Sequence, residues 1–263
     1  MELGIRGKVA IVGGASRGLG RASAEALAHE GVNLMLCARE PEALEQAARE
    51  IRQAAGVEAH AYPGDLSRPE VIVGLVQATL ARYGRLDILV SNIGGPPPGS
   101  AESVDEEGWD IAIQRTYLFF IRMARAALPP MKAQRWGRII SVLSVSIKEA
   151  TDGLVLSTSA RLGAAGFLKT LALEVAPSNV TVNNVLPGTI LTQRQHELAQ
   201  ARSVRTGLGV EEIMDRSAQA IPVKRMGRPD ELGALVAFLA SEQASFITGA
   251  SIPVDGGSSR SIL

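Results

Sequence analysis

The stretch Lys8–Gly20, KVAIVGGASRGLG, decides how this chain is read. After its first residue, Lys8–Val12 is apolar and β-branched, as expected of a strand buried on both faces. Gly13, Gly14, Gly18 and Gly20 follow at once, and Gly18–Glu30 then has the pattern of a helix. A strand that ends in a glycine turn and feeds a helix aims backbone N–H groups at the helix N-terminus, where phosphate binds. The glycines Gly14, Gly18 and Gly20 allow a tight turn, close approach of a pyrophosphate to the backbone, and close packing of helix on strand. The spacing is G-x-x-x-G-x-G rather than the more general G-x-G-x-x-G. Its weight comes from its place between an apolar strand and a helix.

Outward from this unit the same alternation repeats. Strands are expected at Val32–Cys37, Val57–Tyr62, Asp87–Ser91, Gly137–Leu143, Val180–Val185 and Ser251–Val254. Helices are expected at Pro41–Ala55, Ser67–Tyr83, Val104–Leu128, Leu154–Val175 and Glu231–Ala240. Apolar strands separated by helices imply a parallel sheet covered on both faces, and right-handed crossovers make it doubly wound. The expectation is one α/β domain over 1–263 with a seven-stranded sheet. Two segments break the rhythm: the loop Gly94–Gly99 (GGPPPG) and the polar stretch Thr189–Lys224. Both follow strands, so both are expected at the C-terminal edge of the sheet, where open α/β sheets bind ligands. The first reads as a stiff turn or a substrate-facing loop. The second reads as a surface insertion or as a substrate lid over 189–224.

The bulk composition excludes several function classes. Lys+Arg and Asp+Glu each total 27, so no basic stripe offers the footprint that nucleic acid needs. The single cysteine, Cys37, rules out an internal disulfide and is compatible with a reducing compartment. Met1–Lys8 has no apolar core of a secretory signal, and the run Leu232–Ala240 falls far short of the roughly 20 residues that span a bilayer. A cytoplasmic protein with neither a membrane nor a nucleic-acid partner, and with no metal site, is expected.

Beyond the spacing, GGASRGLG resembles the glycine motif of the short-chain dehydrogenase/reductase family of Rossmann-fold proteins, with Gly13 where that family usually has threonine. The likeness runs through most of the chain, in Asp65-Leu66, in Ser91-Asn92-Ile93-Gly94, and in Pro187-Gly188 with Thr189 and Thr192. It continues in Gly227-Arg228-Pro229 with Glu231, in Ile247-Thr248-Gly249, and in Val254-Asp255-Gly256-Gly257. Within the family the chain resembles the β-ketoacyl-carrier-protein reductases. The resemblance implies cofactor contacts from Gly14, Ser16, Arg17, Gly18, Leu19 and Gly20, from Asp65 and Leu66, from Asn92 and Gly94, and from Pro187, Gly188, Thr189 and Thr192. It also implies a small-molecule carbonyl or acyl-thioester substrate and a homodimer or homotetramer.

A carboxylate at the end of the second strand would bond the ribose 2′-OH of NAD, whereas arginine accommodates the 2′-phosphate of NADP. Here the strand ends Cys37-Ala38-Arg39, and Arg17 sits inside the glycine loop. Guanidinium forks suit phosphate, so NADP(H) is the favoured cofactor unless both arginines are plain surface charges.

The family's chemistry rests on a tyrosine acid, a lysine four residues later, a serine that polarises the carbonyl, and an asparagine that supports a relay water. Threaded from the flanks Gly137–Ile140 and Lys169–Glu174, Ser144 fits the serine. The tyrosine position is Ser157, the lysine position is Arg161, and counting from Trp109-Asp110 puts Thr116 at the asparagine. The tyrosines present, Tyr62, Tyr83 and Tyr117, begin no Tyr-x-x-x-Lys pattern. Ser157 and Arg161 are i, i+4 on one expected helix, so they share a face and can meet. A phenol titrates near ~10 and a neighbouring cation can pull it down, whereas an alkyl hydroxyl is a far weaker acid. Arg161 keeps its proton and binds anions or hydroxyls without relaying protons. Loss of the general acid removes roughly 10²–10⁴ of rate. His196, in the polar stretch, is either a substitute proton source or a solvated surface histidine. Two readings follow: an NADP-dependent oxidoreductase of atypical mechanism, or a catalytically inactive NADP(H)-binding relative with a sensor or structural role.

Overall fold

In the computed structural model, which describes residues 2–262, strands β1 (Val9–Gly13), β2 (Asn33–Ala38), β3 (Ala59–Pro63), β4 (Ile88–Ser91), β5 (Gly137–Val142), β6 (Val180–Pro187) and β7 (Ser251–Val254) form one parallel sheet. Their order is β3-β2-β1-β4-β5-β6-β7. Side chains of period two feed two separate cores. Ala10 and Val12 of β1, with Leu34, Leu36, Ile88 and Val90, pack under helices α1 (Gly18–His29) and α2 (Pro41–Ala55). Ile11, Met35, Cys37 and Leu89 pack on the other face, under α3 (Pro69–Tyr83). Because β1 lies between β2 and β4, the chain changes direction there, and a crevice opens beyond the C-terminal ends of β1 and β4.

The expected long helix over Val104–Leu128 is in fact three pieces: α4 (Glu106–Ala112), a π-helical turn Ile113–Tyr117, and α5 (Leu118–Ala133). The π turn inserts one residue of wider winding and buries Thr116 within it. The helix also runs past the Pro129-Pro130 pair to Ala133, because buried Met131 continues its apolar face and the Gln134 amide still bonds to the Pro130 carbonyl at 3.1 Å. Next come α6 (Val155–Val175), α7 (Gln193–Thr206), α8 (Val210–Ala220) and α9 (Pro229–Leu239). The polar segment read as a surface insertion or lid thus contains two helices, α7 and α8. On the first face α9 packs against α1 so closely that a Cβ on Gly233 would lie 2.6 Å from the Ala22 carbonyl oxygen. Only glycine permits that approach. It sets α1, and therefore the phosphate-facing turn at its N-terminus, against the sheet.

The opposite, N-terminal edge of the sheet is closed by charge. Asp87, fully buried, accepts from the Val9 amide at 2.9 Å and from both Arg85 Nε and Nη2 at 2.7 Å. Arg138, also fully buried, stacks 4.3 Å from the Trp136 ring centre and lies 3.5 Å from the Glu242 carboxylate. Trp136 in turn donates its indole N–H to Glu242 at 2.7 Å.

Candidate active site

At the end of β1 the backbone turns through Gly14 and Gly18, both at φ +60°, a region that side-chain-bearing residues avoid. Around them the cradle is closed to side chains. A Cβ on Gly14 would lie 2.6 Å from Asn92 Nδ2, and one on Gly20 would overlap the Gly14 carbonyl and stand 2.6 Å from that of Gly13. Gly13 itself would put a Cβ 2.8 Å from the Asn92 carbonyl and 3.1 Å from a Leu66 methyl, so this chain has no room for the family's threonine without a shift. Asn92 donates Nδ2 to the Gly13 carbonyl at 3.2 Å, and the Ala15 amide donates to the Cys37 carbonyl at 3.2 Å. Asn92, expected from sequence as a cofactor contact, also braces the glycine turn. Leu66 is buried beside it, Leu19 packs on the core, and Ser16 is half-buried at the turn.

Arg17 and Arg39 are exposed, and neither side chain makes a hydrogen bond or ion pair within the described residues. Asp65 accepts the Ser67 amide at 2.9 Å. Burial works against its charged form, but the Ser67 bonds and the positive charges of Arg115 and Arg39 outweigh that and hold the carboxyl below the usual range. Arg115, on the π-helical turn, was not legible as a neighbour of Asp65, because no spacing relates the two. Cys37, beneath the turn, is inert: burial, helped by the Asp65 charge, pushes its thiol up to about 12. Across the crevice, Gly188 donates to the Val254 carbonyl at 3.0 Å and packs on Asp255, tying the loop after β6 to the loop after β7. The Thr189 carbonyl accepts the Gly227 amide at 3.1 Å. Thr192, at the start of α7, stands over the cradle, its methyl 3.8 Å from where a Gly18 Cβ would be.

Beyond β5, Ser144 Oγ accepts the Ser146 amide at 3.1 Å and opens a short 3₁₀ turn. Ser157 and Arg161 do meet on α6: Arg161 Nη1 donates to Ser157 Oγ at 3.0 Å, and Nε donates to the Leu143 carbonyl, next to Ser144, at 3.1 Å. Arg161 is buried, and that burial alone draws its guanidinium down to about 10. Gly95 of the proline-rich loop borders it, a Cβ there falling 3.7 Å from Nη1; Gly94 has open space around it. Thr116 lies on the π turn with its hydroxyl buried and unpartnered. His196 is exposed on α7, with no bond to this group. Among the described residues, no cluster of His, Cys, Asp or Glu could hold a metal, and no helix is long and apolar enough to cross a membrane.

A family model described as enoyl-(acyl carrier protein) reductase matches residues 14–259. The NADPH-dependent reductase BacG of Bacillus subtilis is 32% identical over 257 residues, covering 97% of this chain and 99% of that protein. The 3-oxoacyl-[acyl-carrier-protein] reductase of Aquifex aeolicus is 35% identical, covering 98% and 99%. L-sorbose reductase from Gluconobacter frateurii, solved with NADPH and L-sorbose, superposes with a TM-score of 0.95 at 32% identity over 100% of both chains. The glycine cradle, the seven-stranded order and these full-length likenesses agree: the chain belongs to the short-chain dehydrogenase/reductase family and resembles its 3-oxoacyl-[acyl-carrier-protein] reductases.

Proposed function

We propose that this protein is an NADP(H)-dependent oxidoreductase acting on a carbonyl/alcohol pair of the 3-oxoacyl type, by a mechanism that uses no tyrosine acid. The observation that carries this reading is the joining of Arg161, Ser157 and the backbone before Ser144 into one hydrogen-bonded group, on the same sheet edge as an intact glycine cradle. The cradle fits the cofactor: it is closed to any Cβ at Gly14 and Gly20 and offers two unpaired arginines. Gly14–Gly20 would hold the pyrophosphate, Arg17 and Arg39 the 2′-phosphate, Asp65 and Leu66 the adenine, and Asn92, Gly94, Pro187, Gly188, Thr189 and Thr192 the remainder. When bound, NADPH supplies the hydride.

The chain's own groups then act on the substrate oxygen. Ser144 Oγ accepts a hydrogen bond from an amide and Ser157 Oγ one from the guanidinium, so each hydroxyl has its own proton left to donate. Arg161, still protonated near neutral pH, orients and stabilises negative charge but relays no proton. The proton that completes an alcohol comes from water or from His196. Thr116 lends its hydroxyl from the π turn. Segment 189–224, with α7 and α8, serves as the lid. Exposed Leu162 and Leu173 on α6 support pairing of chains into a homodimer or homotetramer through the long helices, and the protein works in the cytoplasm.

The test is NADPH oxidation by purified protein with 3-oxoacyl thioesters, quinones and simple ketones. Turnover that disappears in Ser144→Ala supports the reading; none above that control overturns it. The replaced tyrosine and lysine favour one alternative, an inactive NADP(H)-binding protein, which tight NADPH binding without turnover would establish.

A further inference from the structure

The group around Arg161 is built from donors. Arg161 is 6% exposed and makes two hydrogen bonds, both to neutral acceptors, Leu143 O and Ser157 Oγ. A guanidinium carries five N–H donors in a fixed fork, so most of its capacity is unspent. No Asp or Glu among the described residues forms an ion pair with it or offsets its burial. Buried charges are ordinarily paired, because an unpaired one loses hydration and gains nothing in return. Its neighbours add no negative charge. Ser144 and Ser157 each accept one hydrogen bond at Oγ and keep a hydroxyl proton to donate. Gly95, itself exposed, borders the guanidinium from the loop side with no side chain and no charge, its empty Cβ position 3.7–3.8 Å from Nη1 and Nη2. Sugar or ribose hydroxyls would leave the charge unpaired. An anion of matching planar shape would not.

We infer that Arg161 is an anion-recognition site within the cleft, and that the substrate is a 3-oxo or related keto acid whose free carboxylate pairs with its guanidinium. Ser144 and Ser157 then hold the reacting carbonyl oxygen. This rests on the carbonyl-reductase reading above and narrows it from 3-oxoacyl compounds in general to those with an ionised carboxylate.

The test is calorimetric titration of the full chain, at NADP⁺ concentrations that saturate each variant, with acetoacetate, 2-oxobutyrate and benzoate, each beside its methyl ester. At least one acid should bind about tenfold or more tightly than its ester, the scale of one desolvated charge pair. Arg161→Met should abolish that preference. Gly95→Asp, which plants a competing carboxylate beside an untouched Arg161, should abolish it as well, so the inference stays exposed if the first variant folds poorly. Acids and esters binding alike in all three pairs overturns the site, as does a preference that survives either variant. Titration needs no turnover. Acid binding without NADPH oxidation would remove the reductase reading and keep the anion site, whereas turnover of neutral ketones with no acid preference would do the reverse.

Discussion

Arg138 and Arg161 are buried at opposite edges of the same sheet, and the chain treats them differently. Arg138, at the start of β5, has the Trp136 ring at 4.3 Å, Glu242 at 3.5 Å, and the Ser241 and Gly137 carbonyls at 3.2 and 2.9 Å. Arg161, beyond the end of β5, has a carbonyl and a hydroxyl. Burial lowers both pKa values, but at Arg138 Glu242 pulls back in the other direction, and at Arg161 nothing does. The desolvation problem is the same in both places. At the N-terminal edge it is answered within the chain, and at the ligand edge it is left open. Burial alone therefore does not mark an arginine as structural; the company it keeps does.

The strongest way to break this contrast is to restore titrating chemistry at the open site. Ser157→Tyr combined with Arg161→Lys should raise kcat/KM on 3-oxoacyl substrates by roughly 10²–10⁴, the usual contribution of a positioned general acid. No gain would mean that these positions do not face the reacting carbonyl. Next in size is a stability comparison by urea unfolding. Arg138→Met should cost about 2–4 kcal/mol, because it strips a cation from between an aromatic ring and a carboxylate. Arg161→Met should stay within about 1 kcal/mol of the parent, because the loss of two hydrogen bonds is offset by removal of an unpaired buried charge. Equal losses would make Arg161 a second structural arginine.

A third arginine sharpens the contrast from the outside. Arg39 is exposed and unpaired, so Arg39→Ala should leave protein stability alone while weakening NADPH about tenfold and NADH hardly at all. An unchanged ratio of the two affinities removes Arg39 from cofactor choice. The smallest effect concerns exposed arginines that do have partners. Hydrogen bonds from Arg225, then from the Arg228 backbone, hold the Glu231 carboxyl down to about 2. A carboxylate whose pKa is lowered on folding stabilises fully above its ordinary value of 4.5 and loses that contribution as pH falls toward about 2. The urea midpoint of the parent should therefore drop more steeply across that window than that of Glu231→Gln.

Much of the fold was legible because burial on both faces writes itself into the chain. β1 and its glycine turn, α2 over Pro41–Ala55 and β7 over Ser251–Val254 are found where pattern and punctuation place them. The break at Ile113–Tyr117 was not legible, since a π turn shifts the helical phase by one residue and periodicity averages over it. Helices α7 and α8 were missed for the opposite reason: their residues are mostly polar, and Ile213 and Ala199 are among the few they bury. At the site, the flanking residues set the register of Ser144, Ser157 and Arg161, and their i, i+4 meeting followed from helix geometry. That Arg161 would lack a carboxylate could not be read, because pairing depends on which distant segments fold near it. The approach of Gly95 is of that kind, as is that of Arg115 to Asp65.

The brace between Asn92 and Gly13, with the bond from the Ala15 amide to Cys37, has a consequence for exchange and for entropy. Surface loops normally fluctuate apart from the elements they join, and their amides exchange with solvent quickly. Here the glycine turn is sewn to β2 on one side and to β4 on the other, so its amide protons should exchange with the sheet and not with the loops. An anion arriving at that turn meets donors that folding has already ordered, and little of its binding free energy is consumed in holding them still.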